Sequence, residues 1–166
     1  DLTMTDRLTI ANMAIEAGGK NGIFPYDDVC KEYVEGRMTG AFEPVNPDPD
    51  ASYARTVEIN LSELRPVVSF PHLPENTKRV MDIPEPIEID QVVIGSCTNG
   101  RLEDMEIAAK ILKGHTVHER VRCIIIPGSP WVYRESMRRG YLEIFMDAGA
   151  AVSTPTCGPC LGGYMG

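Results

Sequence analysis

Three of the five cysteines lie in short segments rich in glycine and proline, where a thiol could bind a metal or take part in redox chemistry. Cys97 lies in the segment GSCTNG at 95–100, and Cys157 and Cys160 form a Cys-Gly-Pro-Cys pair. Glycines and prolines fix the backbone at such positions and leave room beside it for a bulky ligand. The spacing alone is compatible with a redox pair, a zinc site or an iron–sulfur cluster.

The sequence around the cysteines bears on these three chemistries. In thioredoxins the Cys-x-x-Cys motif follows an early strand and opens a long helix, whereas here Thr156 precedes the pair and six residues follow Cys160. A structural zinc ion normally has four Cys or His ligands, but His115 and His118 follow the first predicted crossover helix, at the opposite edge of the predicted sheet. A cluster held by three thiolates would use all three cysteines and leave one iron open. Such an iron can act as a Lewis acid on a hydroxy acid without a redox change.

Residues 87–166 show the periodicity of an α/β fold with a parallel sheet. Apolar runs predict strands at 91–95, 122–126 and 150–153, and amphipathic patterns predict helices at 102–112, 131–139 and 142–148. Strands that begin about 30 residues apart are typical of right-handed βαβ units, with helices on both faces of the sheet. Ligands of such sheets bind beyond the carboxyl ends of the strands. We therefore expect Cys97, Cys157 and Cys160 to meet at one edge.

The residues before this region predict a smaller α+β segment. The patterns predict helices at 8–17 and from about 27 onwards, and strands at 56–61 and 66–70. Four prolines between 71 and 86 indicate a linker. We therefore expect a first segment at 1–70, a proline-rich linker at 71–86 and a cluster-binding domain at 87–166 that is incomplete at its C-terminus.

Composition excludes several classes of function for these 166 residues. A net charge of −8 argues against nucleic-acid or anionic-membrane partners, because phosphate binding needs a basic face. No apolar run approaches the roughly 20 residues that span a bilayer. An odd number of unevenly spaced cysteines does not suggest a disulfide framework, so a reducing cytoplasm is expected. The chain begins with Asp1 rather than methionine, and we expect a fragment.

The two cysteine motifs, in this order, resemble those of the aconitase superfamily. The matching segments lie at 8–19, 95–105 and 156–162, and the resemblance covers nearly the whole chain. Within the superfamily, residues 99–101 and 121–127 look most like the large subunits of the 3-isopropylmalate dehydratase and homoaconitase group. An aconitase-like fold and a hydro-lyase activity are therefore expected.

The resemblance also implies a cofactor and a set of site residues. Cys97, Cys157 and Cys160 would bind a 4Fe–4S cluster in which one iron has no protein ligand. Asn12 and Glu16 match family positions close to the iron-bound substrate, Asn12 as a substrate-binding residue and Glu16 as a catalytic one. Their i, i+4 spacing would place both side chains on one face of the predicted first helix.

The resemblance further implies a reaction and a partner. The expected reaction isomerises 2-isopropylmalate to 3-isopropylmalate by dehydration and rehydration, in leucine biosynthesis, with homoaconitate, citramalate or citrate as alternative substrates. The expected partner is a small subunit with a swivelling domain, in a heterodimer or heterotetramer. Family segments with Asp-Ser-His and Asn-Arg-Asn-Phe are absent from this sequence, so the chain alone is expected to be inactive. A competing class is a thiol redox or metal-binding domain that uses Cys157 and Cys160 without Cys97.

Overall fold

The computed structural model describes residues 2–163, with the backbone alone at Leu161. Contacts divide the chain into two compact units, one formed by Asp1–Ile23 with Glu88–Gly166 and the other by Phe24–Ile87. This division groups the first helix with the cysteine-bearing region rather than with the residues that directly follow it. The division of the chain into a first segment at 1–70, a linker at 71–86 and a domain at 87–166 stays a prediction.

The unit Phe24–Ile87 contains little regular structure. Helix α2 (Asp28–Glu35) begins after Asp27, whose carboxylate accepts a hydrogen bond of 3.0 Å from the backbone N–H of Cys30. Strands β1 (Val67–Ser69) and β2 (Thr77–Arg79) form an antiparallel pair. Strand β2 was not predicted, because its polar sequence carries no periodic signal and its conformation depends on pairing with β1.

The strand predicted at 56–61 is wrong. Residues 56–60 have no regular structure, and Leu61–Glu63 forms a single 3₁₀ turn. The apolar members of the alternation, Val57 and Ile59, are 62% and 65% exposed. Alternating polar and apolar residues stabilise a strand only where its apolar face packs against another part of the protein. This segment pairs with no strand in the part of the chain that the structure describes.

The cysteine-bearing unit contains the predicted parallel sheet, which confirms the α/β fold class. Its strands β3 (Gln91–Gly95), β4 (Arg122–Ile126) and β5 (Ala151–Val152) lie in the order β3-β4-β5. The connections are α3 (Ser96–Asn99) and α4 (Leu102–Leu112) after β3, and α5 (Pro130–Arg138) and α6 (Tyr141–Asp147) after β4. The carboxyl ends of all three strands therefore lie at one edge of the sheet.

One hydrophobic core joins the sheet to its crossover helices. Cys123 and Ile125 of β4 pack with Met105 of α4 and Phe145 of α6, and Ile94 of β3 packs against this cluster. Helices were expected on both faces of the sheet, whereas α4, α5 and α6 contribute to this single core. Two right-handed crossovers that step in the same direction across a sheet place their helices on the same face.

Helix α1 (Met4–Asn12) begins four residues before the helix predicted at 8–17 and ends five residues before its predicted end. It begins at an N-terminal capping box in which Thr3 and Asp6 exchange hydrogen bonds, and the Thr3 hydroxyl lowers the pKa of Asp6. After Asn12 the backbone continues in turns, and Ile15 is 71% exposed. Short helices depend on tertiary packing of an apolar face, and the exposed side chain of Ile15 contributes little to such packing.

No helix among residues 2–163 combines the length and the apolar character that crossing a membrane requires.

We predict that Phe145→Ala lowers the free energy of unfolding by about 3–5 kcal/mol, because it leaves a cavity at the centre of the core. Phe145 is fully buried, whereas its neighbour Met146 is 60% exposed, which makes Met146→Ala a matched control. Urea unfolding followed by circular dichroism measures both variants, and the control should change the unfolding free energy by less than about 0.5 kcal/mol. Equal losses in the two variants would contradict this packing.

Candidate functional site

Strand β3 ends in a turn that requires glycine. Gly95 has φ of 116°, a conformation that side chains of L-residues rarely adopt. A Cβ atom at this position would also overlap the carbonyl oxygen of Ile126 at the end of β4. The absence of a side chain at Gly95 therefore lets the chain turn sharply towards Cys97 while staying against the neighbouring strand.

Ser96 connects two of the three candidate cysteines. It is 4% exposed and has φ of 70°, the only positive φ of a non-glycine residue in the described part of the chain. This left-handed conformation costs about 1–2 kcal/mol. The Ser96 hydroxyl accepts a hydrogen bond of 3.4 Å from the Cys160 thiol and donates one of 3.8 Å to the Cys97 sulfur. The loops after β3 and β5 thus meet at one hydroxyl group.

A second pair of glycines holds the loops after β3 and β4 together. The backbone N–H of Gly128 donates a hydrogen bond of 2.6 Å to the carbonyl oxygen of Gly100. A Cβ atom at Gly100 would overlap the carbonyl oxygen of Ser96. The backbone approach therefore fixes the position of the Cys97 loop relative to β4, next to the loop that carries the other two cysteines.

Cys157 and Cys160 follow β5 in a tight loop. The hydroxyl of Thr156 accepts a hydrogen bond of 3.3 Å from the N–H of Gly158, and Pro159–Leu161 forms a 3₁₀ turn. The adjacent Cys97 thiolate raises the pKa of the Cys157 thiol, with smaller contributions from burial and from Cys160. The predicted meeting of Cys97, Cys157 and Cys160 at one sheet edge is therefore present in the structure.

Helix α1 adds an amide group to this edge. The Thr9 hydroxyl donates a hydrogen bond of 3.0 Å to the carbonyl oxygen of Thr98 and attaches α1 to the Cys97 loop. The Asn12 side-chain nitrogen lies 3.6 Å from the Cys97 sulfur, and its side-chain oxygen lies 3.9 Å from the same sulfur. Sequence reasoning placed Asn12 near a substrate but did not detect this contact with a thiol.

Glu16 makes no hydrogen bond with this cluster of groups. It follows the end of α1, it is exposed, and its side chain has no hydrogen bond among residues 2–163. The single helix face expected for Asn12 and Glu16 is absent, because α1 ends at Asn12. The Asn99 side-chain amide donates a hydrogen bond of 3.5 Å to a carboxylate oxygen of Asp104.

The remaining cysteines lie outside the site. Cys123 is 5% exposed within β4, and burial raises the pKa of its thiol. Cys30 is half-buried in α2. Both positions agree with the apolar patterns around these residues, and Cys30, which belongs to the other compact unit, provides a thiol for control experiments.

The donor set at the sheet edge fits an iron–sulfur cluster. Cys97, Cys157 and Cys160 are all free and exposed thiols. Cys97 has the Ser96 hydroxyl and the Asn12 amide as neutral partners, Cys160 has the Ser96 hydroxyl, and Cys157 hydrogen-bonds to Cys97. Neutral hydroxyl and amide groups donate to sulfur and tune such clusters. Bound iron would also neutralise the repulsion between thiolates that raises the Cys157 pKa.

Comparisons with known proteins place these residues in a family context. The sequence profile of the aconitase family (aconitate hydratase) matches residues 1–166. The chain is 59% identical over 165 residues to a protein from Caldicellulosiruptor bescii named 3-isopropylmalate dehydratase large subunit, covering 99% of this chain and 38% of that protein. It is 58% identical over 166 residues to the protein of the same name from Heliobacterium modesticaldum, covering 100% of this chain and 39% of that protein.

A relative with a different name has nearly the same similarity. The chain is 58% identical over 165 residues to a protein from Eubacterium barkeri named 2,3-dimethylmalate dehydratase large subunit, covering 99% of this chain and 39% of that protein. The chain thus spans 38% to 39% of the length of these relatives. The comparisons confirm the resemblance inferred from the cysteine motifs.

We predict that Gly95→Ala lowers the free energy of unfolding by about 3 kcal/mol or more, since the added methyl group overlaps the backbone of β4. Gly140→Ala is the matched control, because Gly140 also has a positive φ but has open space around the position of a Cβ atom. The control should lose only about 1 kcal/mol. Urea unfolding measures the free energy of unfolding of both variants. Similar losses would show that the backbone of β4 does not come close to Gly95.

We predict that Cys97→Ser lowers the pKa of the Cys157 thiol in the metal-free protein. Removing the neighbouring thiolate removes the main cause that raises this pKa, so a larger fraction of Cys157 is deprotonated at a given pH. The rate of iodoacetamide alkylation at Cys157, measured by mass spectrometry across pH, should rise at lower pH in the variant. Cys30→Ser should leave the pH profile of alkylation unchanged. An unchanged profile in Cys97→Ser would show that Cys97 does not influence the pKa of Cys157.

Proposed function

Since the chain belongs to the aconitase family, we propose that it is part of the large subunit of a hydro-lyase that interconverts 2-isopropylmalate and 3-isopropylmalate. The reaction removes water from the hydroxy acid and adds it back at the neighbouring carbon. The observation that supports this proposal most directly is the meeting of the three cysteines at one sheet edge, where Ser96 hydrogen-bonds to Cys97 and Cys160 and where Cys157 lies beside Cys97. The names of the similar large subunits supply the substrate.

We propose that Cys97, Cys157 and Cys160 hold a 4Fe–4S cluster. When bound, its iron without a protein ligand supplies a Lewis acid for the hydroxyl and carboxylate groups of the substrate. Ser96 joins the two cysteine loops through the hydrogen bonds of its hydroxyl group to Cys97 and Cys160. Its left-handed backbone is a strained feature of the kind that concentrates at functional sites.

We propose that the residues of α1 and the turn after it face the substrate. The Asn12 amide already contacts the Cys97 sulfur, so it lies where it can bind an acid beside the cysteine ligands. Glu16 is the proposed catalytic carboxylate, which holds or accepts a proton during dehydration. Its exposed position leaves it accessible to a substrate.

The charge of the chain suggests that the active site is completed elsewhere. A net charge of −8 repels a dicarboxylate substrate, so iron and additional cationic groups must offset it. We propose that a small subunit contributes to this, because the relatives are named as large subunits. The free cysteines agree with a reducing cytoplasm, which we propose as the location.

A second substrate has a specific observation in its favour. The relative named for 2,3-dimethylmalate is 58% identical to this chain, close to the 59% of the first relative named for 3-isopropylmalate. Both substrates are hydroxy dicarboxylic acids with a branched alkyl part. A redox domain that uses only Cys157 and Cys160 would leave the contacts of Cys97 unexplained.

We predict that anaerobic reconstitution of the complete large subunit with iron and sulfide loads about four irons per chain. Cys97→Ser should reduce the iron content and bleach the visible absorption, because the cluster loses one of its three ligands. Cys30→Ser is the matched control and should retain full loading. Iron, sulfide and visible absorption are measured together, so the result does not depend on activity.

The reconstituted enzyme, combined with its small subunit, should dehydrate 2-isopropylmalate with a higher kcat/KM than 2,3-dimethylmalate. Formation of the unsaturated acid is followed by its ultraviolet absorption. The reverse preference would assign the second substrate. A stable zinc ion or a Cys157–Cys160 disulfide that does not depend on Cys97 would contradict the proposed cluster. Either result would favour the thiol redox or metal-binding domain.

A further inference from the structure

Among residues 2–163, the Ser96 hydroxyl forms hydrogen bonds to sulfur and to no other atom. It accepts a hydrogen bond of 3.4 Å from the Cys160 thiol and donates one of 3.8 Å to the Cys97 sulfur. The side chain of Ser96 is 4% exposed, so water has little access to these bonds. Buried hydroxyl groups generally have a hydrogen-bond partner, and here both partners are candidate ligands of the cluster.

The backbone at Ser96 provides a second observation. Its φ of 70° lies in the left-handed region, which glycine adopts readily and serine adopts with strain. The carbonyl oxygen of Ser96 lies against Gly100 and Gly128, where an added Cβ atom would come within 3.0 Å of it. This packing holds the residue in place and directs its side chain towards the sulfurs. The strain is therefore tied to the position of the hydroxyl group.

The hydrogen bonds of Ser96 change when the cysteines bind a metal. Cysteine binds metals as a thiolate, which has no S–H proton. The Cys160 sulfur then no longer donates a hydrogen bond to Ser96 and can only accept one. A serine hydroxyl has a single proton to donate. Ser96 therefore becomes a donor that faces two negatively charged sulfurs, those of Cys97 and Cys160.

We propose that Ser96 is a positioning residue whose buried hydroxyl donates its proton to the thiolate sulfurs of Cys97 and Cys160 and raises the reduction potential of the cluster. A hydrogen bond donated to a thiolate favours the oxidation state with more negative charge. Since dehydration and rehydration transfer no electron, this bond serves to keep the cluster in one oxidation state. The inference rests on the proposed function, in that the three cysteines hold a cluster.

The contacts of Asn12 show why this role falls to Ser96. Asn12 also approaches the Cys97 sulfur, with its side-chain nitrogen at 3.6 Å and its side-chain oxygen at 3.9 Å, but its side chain is exposed. Water can therefore replace this amide, whereas a buried hydrogen bond is electrostatically stronger. Of these two residues, Ser96 is also the one that reaches both cysteine loops.

Ser96→Ala and Ser96→Gly in the complete large subunit test the proposal, with Ser153→Ala as the matched control. Ser153 is also 4% exposed and follows β5 at the same edge of the sheet, but its hydroxyl donates to the carbonyl oxygen of Thr154. Alanine at position 96 removes the hydroxyl and keeps the backbone strain, whereas glycine removes both. An effect that the two Ser96 variants share therefore comes from the hydroxyl.

The midpoint potential of the reconstituted cluster is measured by a redox titration followed by electron paramagnetic resonance. Both Ser96 variants should lower this potential by ~20–60 mV, which corresponds to a change of about two- to tenfold in the reduction equilibrium at ~59 mV per tenfold. Ser153→Ala should leave the potential unchanged. Unchanged potentials in both Ser96 variants, a shift in Ser96→Ala alone, or an equal shift in Ser153→Ala would overturn the proposal.

Iron content and stability complete the test. An unaltered subunit that loads no cluster would contradict the proposed function, whereas loading without a shift in potential would contradict only the role of Ser96. Urea unfolding of the metal-free variants checks the fold. Ser96→Gly should unfold at a higher urea concentration than Ser96→Ala, because glycine relieves the left-handed strain. If Ser96→Ala folds poorly, the potential of Ser96→Gly against that of Ser153→Ala decides the role of the hydroxyl.

Discussion

The close backbone approach of the loops after β3 and β4 is the constraint on which the site depends. Gly95 and Gly100 lack side chains where the carbonyl oxygens of Ile126 and Ser96 come near, and Gly128 donates a hydrogen bond across the same gap. This approach forces Ser96 into a left-handed conformation that places its hydroxyl between two sulfur atoms. The cysteine positions thus follow from the packing of backbone on backbone, which varies less than a contact between flexible side chains.

The same geometry brings thiol groups close enough to repel each other when they are ionised. The raised pKa of Cys157, caused mainly by Cys97, is the electrostatic consequence. A cationic group bound among the three cysteines would remove this repulsion and would couple metal binding to the stability of the loops. The Ser96 hydroxyl and the Asn12 amide are neutral partners of Cys97, and the same hydroxyl accepts a hydrogen bond from Cys160. Such partners support thiol ligands without competing with them for the metal.

The described residues form one exposed side of the candidate site. The cysteines and Asn12 lie at an exposed edge, Glu16 makes no hydrogen bond with them, and the chain carries a net charge of −8. The chain belongs to the aconitase family and spans 38% to 39% of the length of the large subunits that it resembles.

The sequence by itself determined the parallel sheet, its crossover helices and the edge at which the cysteines meet. The apolar runs of β3 and β4, the amphipathic pattern of α4 and the spacing between them are local signals, and chain topology then places the three loops together. Only the tertiary structure decided that α1 ends at Asn12, that residues 56–60 form no strand and that Ser96 joins Cys97 to Cys160. These features depend on partners distant in the chain, and periodicity within a short window carries no information about such partners.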